Sequence, residues 1–433
     1  MTPQAVLTSS VHDTKKNKNI RDFKLKSRPI RSGLFLFLFM TVILFDDQFR
    51  NNLLPLSFTR PVSGLRVGIL TIAEKWALYF KTTPSYLTEH YLQEKYPFNA
   101  GESNIVVNGS VCPDEELMEA IDKLTEGDAL YAGAFLIAVK LNEAGAKVFD
   151  INRTEEYHKK EYYGPLLKIS FPEDIFSYNH QEILKDFSML TKGRSSGSIS
   201  STNTVIGENI FVEEGASAEC ATFNTIQGPV YLGRNTQVWE GSHIRGSFAL
   251  CEGSIIKMGA KIYGMTTIGP HSKAGGEINN SVIFGNSAKG HEGYLGNSVI
   301  GEWCNIGADS NNSNMKNNYA EVRLWDYQNE SFRRTGLQFC GLIMGDHSKC
   351  GINTMFNTGT VVGVSANIFG AGFPRNFIPD FAWGGNQGFE TYSLAKMFET
   401  AERVYHRKQE IFTEVEKKIL TKVFELSDKY RRF

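Results

Sequence analysis

Nothing in the sequence pairs one cysteine with another. The six cysteines, Cys112, Cys220, Cys251, Cys304, Cys340 and Cys350, are widely scattered and form no CxxC. That argues against a zinc ribbon or a secreted disulfide framework and fits reduced thiols in a cytoplasm. No charge excess exists either: 46 Lys and Arg oppose 47 Asp and Glu, a net charge of −1. A global attraction to nucleic acid or to acidic membranes is thereby excluded. The apolar run from Leu34 to Phe45 falls well short of the roughly 20 residues a membrane-spanning helix needs, so no stable membrane insertion is expected. Proline is scarce, 13 residues against 40 glycines, and most of the glycine lies after residue 190.

The run 34–45 follows a stretch, residues 14–32, rich in Lys and Arg, and so resembles the front of a signal peptide. It lacks a small-residue cleavage site and ends in Asp46-Asp47. The better reading is a buried first strand, Thr41–Phe45, leading into an acidic loop. Residues 1–39 then read as a disordered extension, with Met40 a candidate start.

A chain of 433 residues with 41% hydrophobic and 21% charged residues is a globular protein of two or three domains. Residues 40–192 alternate strand-like runs (Val42–Phe45, Asn104–Val107, Ala134–Val139, Leu167–Ile169) with helical patterns at Asp114–Leu124 and Phe176–Leu190. This alternation predicts an α/β, Rossmann-like domain whose helices cover a mostly parallel sheet. Residues 192–201, rich in Gly and Ser, read as a linker.

From about residue 200 the period is six. Leu232, Val238, Ile244, Leu250, Ile256, Ile262 and Ile268 are aliphatic in strict register, and the phase returns at Ile300 and Ile306 and again from Met344 to Ile368. Each unit supplies one short strand with one inward aliphatic residue, and a small or Gly residue turns the corner. Three units complete a coil, and coils stack about 4.8 Å apart with a dry interior. Residues 200–385 are therefore expected to form a left-handed parallel β-helix of hexapeptide repeats. It is interrupted by an Asn-rich insertion, 309–340, of the kind that sits on a binding face. Residues 390–433 carry helical spacing (Leu394, Phe398, Ala401, Tyr405, Phe412, Val415, Ile419, Val423) and predict a C-terminal amphipathic helix, either one long helix or two shorter ones.

One histidine stands beside glycines inside the repeat, in Gly290-His291-Glu292-Gly293-Tyr294-Leu295-Gly296. An imidazole at the rim of a rigid coil can act as a general base near neutral pH. His271 and His347 also lie in coil context, without such surroundings. The segment Glu277 to Asn314, through Gly290-His291-x-x-Tyr294-Leu295-Gly296, Ile300-Gly301 and Asn305-Ile306-Gly307-Ala308, resembles the acetyltransferase half of the bifunctional N-acetylglucosamine-1-phosphate uridyltransferase/glucosamine-1-phosphate acetyltransferase family. The resemblance implies His291 as the base that deprotonates a sugar amine, with Glu277 orienting it or the substrate. Tyr294 and Asn305 would hold a sugar phosphate, Asn314 would lie near the sugar and the acyl carrier, and Ala308 on the acyl-CoA path. Acetyl-CoA is the implied donor, and acyl transfer itself requires no metal. Asn279 stands where the family has a phosphate-binding Lys, and Lys289 or Lys273 is the candidate to supply that charge.

Residues 40–192 resemble sugar nucleotidyltransferases, on Leu44-Phe-Asp-Asp47, Leu53-Leu-Pro-Leu-Ser-Phe-Thr-Arg-Pro61 and Val67-Gly-Ile-Leu-Thr-Ile-Ala-Glu-Lys75. Active members follow the first strand with a Gly-rich loop whose N–H groups cradle a triphosphate. Here Asp46-Asp47-Gln48 replaces the glycines. Arg50 would stand for the loop Arg and Arg60 for the Lys, the nucleotide-binding candidates. Ser110 replaces the Asp that would bind Mg²⁺, so Mg²⁺ and a nucleoside triphosphate are implied only if this domain is active. The expectation is a cytoplasmic transferase of cell envelope biosynthesis, acting on a sugar phosphate or nucleotide sugar, and a homotrimer as proteins of this resemblance commonly are. The alternative is a non-catalytic trimeric scaffold or regulator that binds sugar nucleotides.

Overall fold

A computed structural model of the protein describes residues 40–433. The first half of the apolar run 34–45, and the expected extension 1–39, lie outside the described residues. Its second half is strand β1 (Met40–Phe45), whose Val42, Ile43, Leu44 and Phe45 are buried. Strands β2 (Ser85–Leu87) and β3 (Ser103–Asn108) flank it in parallel. Helix α1 (Ile72–Phe80) begins in a capping box between Thr71 and Glu74, which satisfies two orphan backbone donors. After β4 (Val111–Cys112), helix α2 (Glu115–Asp122) is capped by the Asp114 side chain. Then come β5 (Asp128–Ala132), β6 (Phe135–Asn142), α3 (Glu143–Lys147), β7 (His158–Glu161), β8 (Leu167–Lys168), α4 (Pro172–Ser177) and α5 (Asn179–Thr191).

The sheet order is β2-β1-β3-β6-β5-β7. The sheet is mostly parallel, as the alternation predicts: β1, β2, β3, β5 and β7 run the same way, and β6 alone is antiparallel, to both β3 and β5. The cause is local: β5 and β6 form a tight hairpin through Gly133-Ala134, with Gly133 at φ +62°, a conformation glycine adopts without a steric cost. Segment 192–201 is held to the first coil, where Arg194 forks onto Glu213 and the Gly197 N–H donates to Val212.

The hexapeptide half is a parallel β-helix with sheets of nine, ten and six strands, and a further strand pair continues the third face. Its first face stacks Leu232, Leu250, Ile268, Ile283, Ile300, Met344, Val362 and Ile378 in one inward column. The aliphatic period of the sequence is thus the interior ladder of the coil. The outer side of this face is also apolar. Val282, Phe284, Val299 and Ile343 share one cluster with Leu56, Phe58 and Leu65 of the N-terminal domain and with Ile419 and Val423 of the tail.

Residues beyond 390 form two shorter helices, α6 (Leu394–Arg407) and α7 (Glu414–Leu426), one of the two expected forms. Thr413 and Glu416 make the capping box that starts the second. The insertion contains an antiparallel hairpin, Arg323–Asp326 with Ser331–Arg334. It folds inward instead of projecting: Val322, Leu324, Tyr327 and Cys340 are buried, and Arg333 grips Glu173 with two bonds of 2.6 Å. All of these additions gather on the first face and its edges. On the other two faces, outward residues such as His243, Lys261, Lys273 and Asn305 remain exposed.

Candidate functional site

His291 lies on the corner where the two uncovered faces meet, between the strand ending at Lys289 and the strand Tyr294–Gly296. Its ring is exposed, and among the described residues no side chain hydrogen-bonds it. One coil further, Ala308 occupies the equivalent corner, since the Asp309 N–H donates to the Glu292 carbonyl at 3.0 Å. Beside this corner runs a column of bare backbone. Gly275, Gly290, Gly307 and Gly351 follow the inward residues Ala274, Lys289, Ile306 and Cys350 on successive coils. Lys257, which lies over the Trp239 ring at 3.3 Å, ends the column on one side. Phe369 ends it on the other.

On the third face, Lys261, Glu277 and Tyr294 stack as one outward column. Glu277 accepts a 2.5 Å hydrogen bond from the Tyr263 hydroxyl, and that bond to a carboxylate raises the Tyr263 pKa. The Tyr294 hydroxyl accepts from the Asn314 amide at 2.9 Å, and the same amide donates to Asn297 at 2.8 Å. Lys261 approaches Glu292 at 3.5 Å, with both side chains about half exposed. Glu277, Tyr294 and Asn314 are therefore brought together, with His291 and Ala308 on the adjoining corner. Tyr263 and Lys261 join them, and the sequence pattern did not single either out. Both occupy outward positions of the repeat, and the six-residue period, once laid onto three faces, aligns them with Glu277.

Asn305 is not in this group. It sits on the second face, directly over Ala288, across the corner from Tyr294. Lys273 is on that face too. Lys289, expected to meet a substrate phosphate, is turned the other way. It takes an inward register position between Ala274 and Ile306 and is 2% exposed. Burial depresses its pKa to about 8, and its ammonium donates to the carbonyls of Gly275 at 3.0 Å and His291 at 2.8 Å. His347 is buried among Trp303, Tyr405 and Phe412, and desolvation holds its pKa well below the usual histidine value. His271 is an exposed corner residue at φ +56° whose carbonyl receives Lys408.

The N-terminal cleft is lined by Asp46, Asp47, Phe49, Arg50, Asn108, Ser110 and Lys168, with about 200 Å³ of empty space. Its cations already face carboxylates, Lys168 lying 3.9 Å from Asp47. Arg50 pairs with Asp46 at 3.1 Å and donates to the Ser57 carbonyl. Arg60 leaves the cleft and pairs with Asp346 and Glu302 of the β-helix. Asp47 accepts from Asn108, and the Ser110 hydroxyl donates back to Asn108 at 2.6 Å. Among the described residues no group of three His, Cys, Asp or Glu side chains is arranged to hold a metal. These residues do not fit a metal-bound triphosphate.

Residues 42–195 match the family described as sugar nucleotidyl transferase. The bifunctional protein GlmU of Methanocaldococcus jannaschii is 34% identical over 87 residues, 20% of this chain and 21% of that protein. The GlmU of Methanococcus maripaludis strain C5 is 28% identical over 235 residues, 54% of this chain and 49% of that protein. Each alignment thus spans about half or less of the curated relative it matches. Among solved structures, an Arabidopsis UDP-N-acetylglucosamine acyltransferase aligns at 15% identity with a TM-score of 0.19, covering 54% of this chain and 91% of that one. The layout is GlmU-like: a sugar nucleotidyl transferase type of domain followed by a hexapeptide-repeat column.

Proposed function

We propose that this GlmU-like chain is an acyltransferase that moves an acetyl group from acetyl-CoA to the amine of a phosphorylated or nucleotide-linked sugar. The supporting observation is the exposed imidazole of His291 at the meeting of two uncovered faces, flanked by the Glu277–Tyr263 and Tyr294–Asn314 pairs. His291 takes the proton as the amine attacks the thioester carbon, and the tetrahedral intermediate then expels the CoA thiolate. Tyr294 and Asn314 orient the sugar. Lys261, beneath Glu277, is the cation its phosphate meets. Ala308 and the glycine column leave the backbone open for the acyl chain to lie close.

Asn305 is separated from this group by the width of a corner. A second copy whose second face met the third face of this one would bring an Asn305 to the set, an arrangement that a cyclic trimer supplies. Thiol release from acetyl-CoA across a panel of amino-sugar phosphates and nucleotide amino sugars tests the reading. Wild type should release thiol and His291→Ala should not; equal release by both rejects it.

For the N-terminal domain the non-catalytic reading is favoured, because its candidate phosphate cations are bound to carboxylates and carbonyls. It serves as a cover for the β-helix or as a sugar-nucleotide-binding module. Pyrophosphate release from nucleoside triphosphates with sugar 1-phosphates and Mg²⁺ should be absent with every base; release with any base restores nucleotidyl transfer.

A further inference from the structure

We propose that Lys289 is a positioning residue that locks the main chain of the His291 corner from inside the coil; this rests on His291 being the base. The neighbouring inward residues on this face, Ala274 before it and Ile306 after it, are apolar. An ammonium placed there is costly, since a buried charge needs compensation. Among the described residues no carboxylate lies within ion-pair distance of it. Its partners are the carbonyls of Gly275, one coil earlier, and His291 itself.

An alkyl side chain would fill the space without that cost, so the cation is explained by what it holds. Backbone N–H groups of Gly275, Asp309 and Glu277 tie the carbonyls of Lys289, Glu292 and Gly293, which leaves the His291 carbonyl to Lys289. Gly290 has open space around it, and Gly293 takes φ +115°, so glycine flanks both sides of the His291-Glu292 pair. Among the described residues no backbone N–H donates to the carbonyls of Gly275 or His291 that Lys289 holds. Lys289 therefore staples two coils together at the residue whose ring must face the amine. Its depressed pKa follows from the same enclosure.

The geometry separates a positioning role from a purely structural one. A displacement of about 1 Å at the reacting centre can lower turnover by about 100-fold, whereas replacing a buried charge with a hydrophobic residue of similar volume often leaves stability equal or higher. Lys289→Met keeps the length and removes the donors, and Lys289→Gln restores one N–H donor group. In the full chain, kcat for acetyl transfer should fall roughly 10- to 100-fold in Lys289→Met with KM changed less than about 2-fold. The melting temperature should be unchanged or raised. Lys289→Gln should recover part of kcat, and amide exchange at Gly290–Gly293 should quicken in the Met variant and less in the Gln variant. Full kcat in Lys289→Met, beside a silent His291→Ala, overturns the staple and leaves the acyltransferase reading intact. Should Lys289→Met fail to fold, Lys289→Leu, which also lacks a donor, takes its place, and normal kcat with normal corner exchange in it overturns the proposal. Activity surviving in His291→Ala fails the underlying reading, whatever Lys289 does.

Discussion

Arg60 of the N-terminal domain meets Asp346 of the β-helix in an ion pair whose two side chains are 5% and 4% exposed. Thr59 also donates to this carboxylate at 2.6 Å, and the Glu302 N–H donates to its other oxygen at 2.8 Å. The residue aligned with a nucleotide-binding Lys thus fastens two halves of the molecule.

Removing only one member of this pair leaves a buried charge without compensation. Arg60→Met is expected to destabilise the chain by about 3–5 kcal/mol. The double variant Arg60→Met/Asp346→Asn should regain a large part of that loss. Denaturant unfolding of the four proteins in a double-mutant cycle reads the coupling; an additive result contradicts it.

A second buried carboxyl gives stability a dependence on pH. Asp380 is pushed up to about 6 by burial, against the lowering effect of the Val364 N–H and the Tyr327 hydroxyl. Its folded pKa lies above the unfolded value of about 3.9. The protonated side chain therefore favours the folded state fully below about pH 4, and that contribution is lost as pH rises through about 6. The loss amounts to about 3 kcal/mol at neutral pH. Asp186, also pushed up to about 6 by burial, acts in the same sense. Unfolding free energy should fall between about pH 4 and about pH 6 and level off above that, with a smaller fall in Asp380→Asn. Equal slopes in the two proteins refute the assignment.

The glycine column offers a contrast between two alanines. A methyl group at Gly290 meets nothing within 4 Å, whereas one at Gly307 runs into the backbone of Gly351. Gly307→Ala should therefore lose about 1–3 kcal/mol by overpacking, while Gly290→Ala should melt with wild type. If the acyl chain lies along this column, Gly290→Ala raises the apparent KM for acetyl-CoA. An unchanged KM places the donor elsewhere.

Tyr263 is predicted to act through Glu277. Tyr263→Phe removes one hydrogen bond to a carboxylate, worth about 1.5–3 kcal/mol where it matters, so kcat/KM should drop roughly 10- to 100-fold. Glu277→Gln should drop by a similar factor, and the double variant by little more than either single. Full additivity would mean that the two residues act independently.

The β-helix was legible because one physical constraint, an aliphatic side chain pointing inward every sixth residue, repeats without tertiary help. The register from Leu232 to Ile268 reappears in the ladders one residue for one residue. It lapses beyond Ala274 because the next corner is shorter: Ile278, not residue 280, is the inward partner of Ile262. Lys289 was misread for a related reason. Its charge suggested solvent, whereas its register, six before Leu295 and six after Ile283, already gave it an inward position. The reversal of β6 in an otherwise parallel N-terminal sheet was hidden because a period of two is the same for either direction. The fate of Arg60 was hidden because its partners lie more than 240 residues away in sequence. The site is legible as a set of residue types around His291, but its division between two faces emerges only from the fold.

The shared apolar seam under the first face has a practical meaning for anyone who would dissect this molecule. Val282, Phe284, Val299 and Ile343 are covered by segments drawn from both ends of the chain. A fragment cut near residue 200 would present that greasy flank to water and, as a sticky surface, clump before any assay could begin. The two halves are better regarded as one inseparable object, in which truncation reports on solubility and single substitutions report on chemistry.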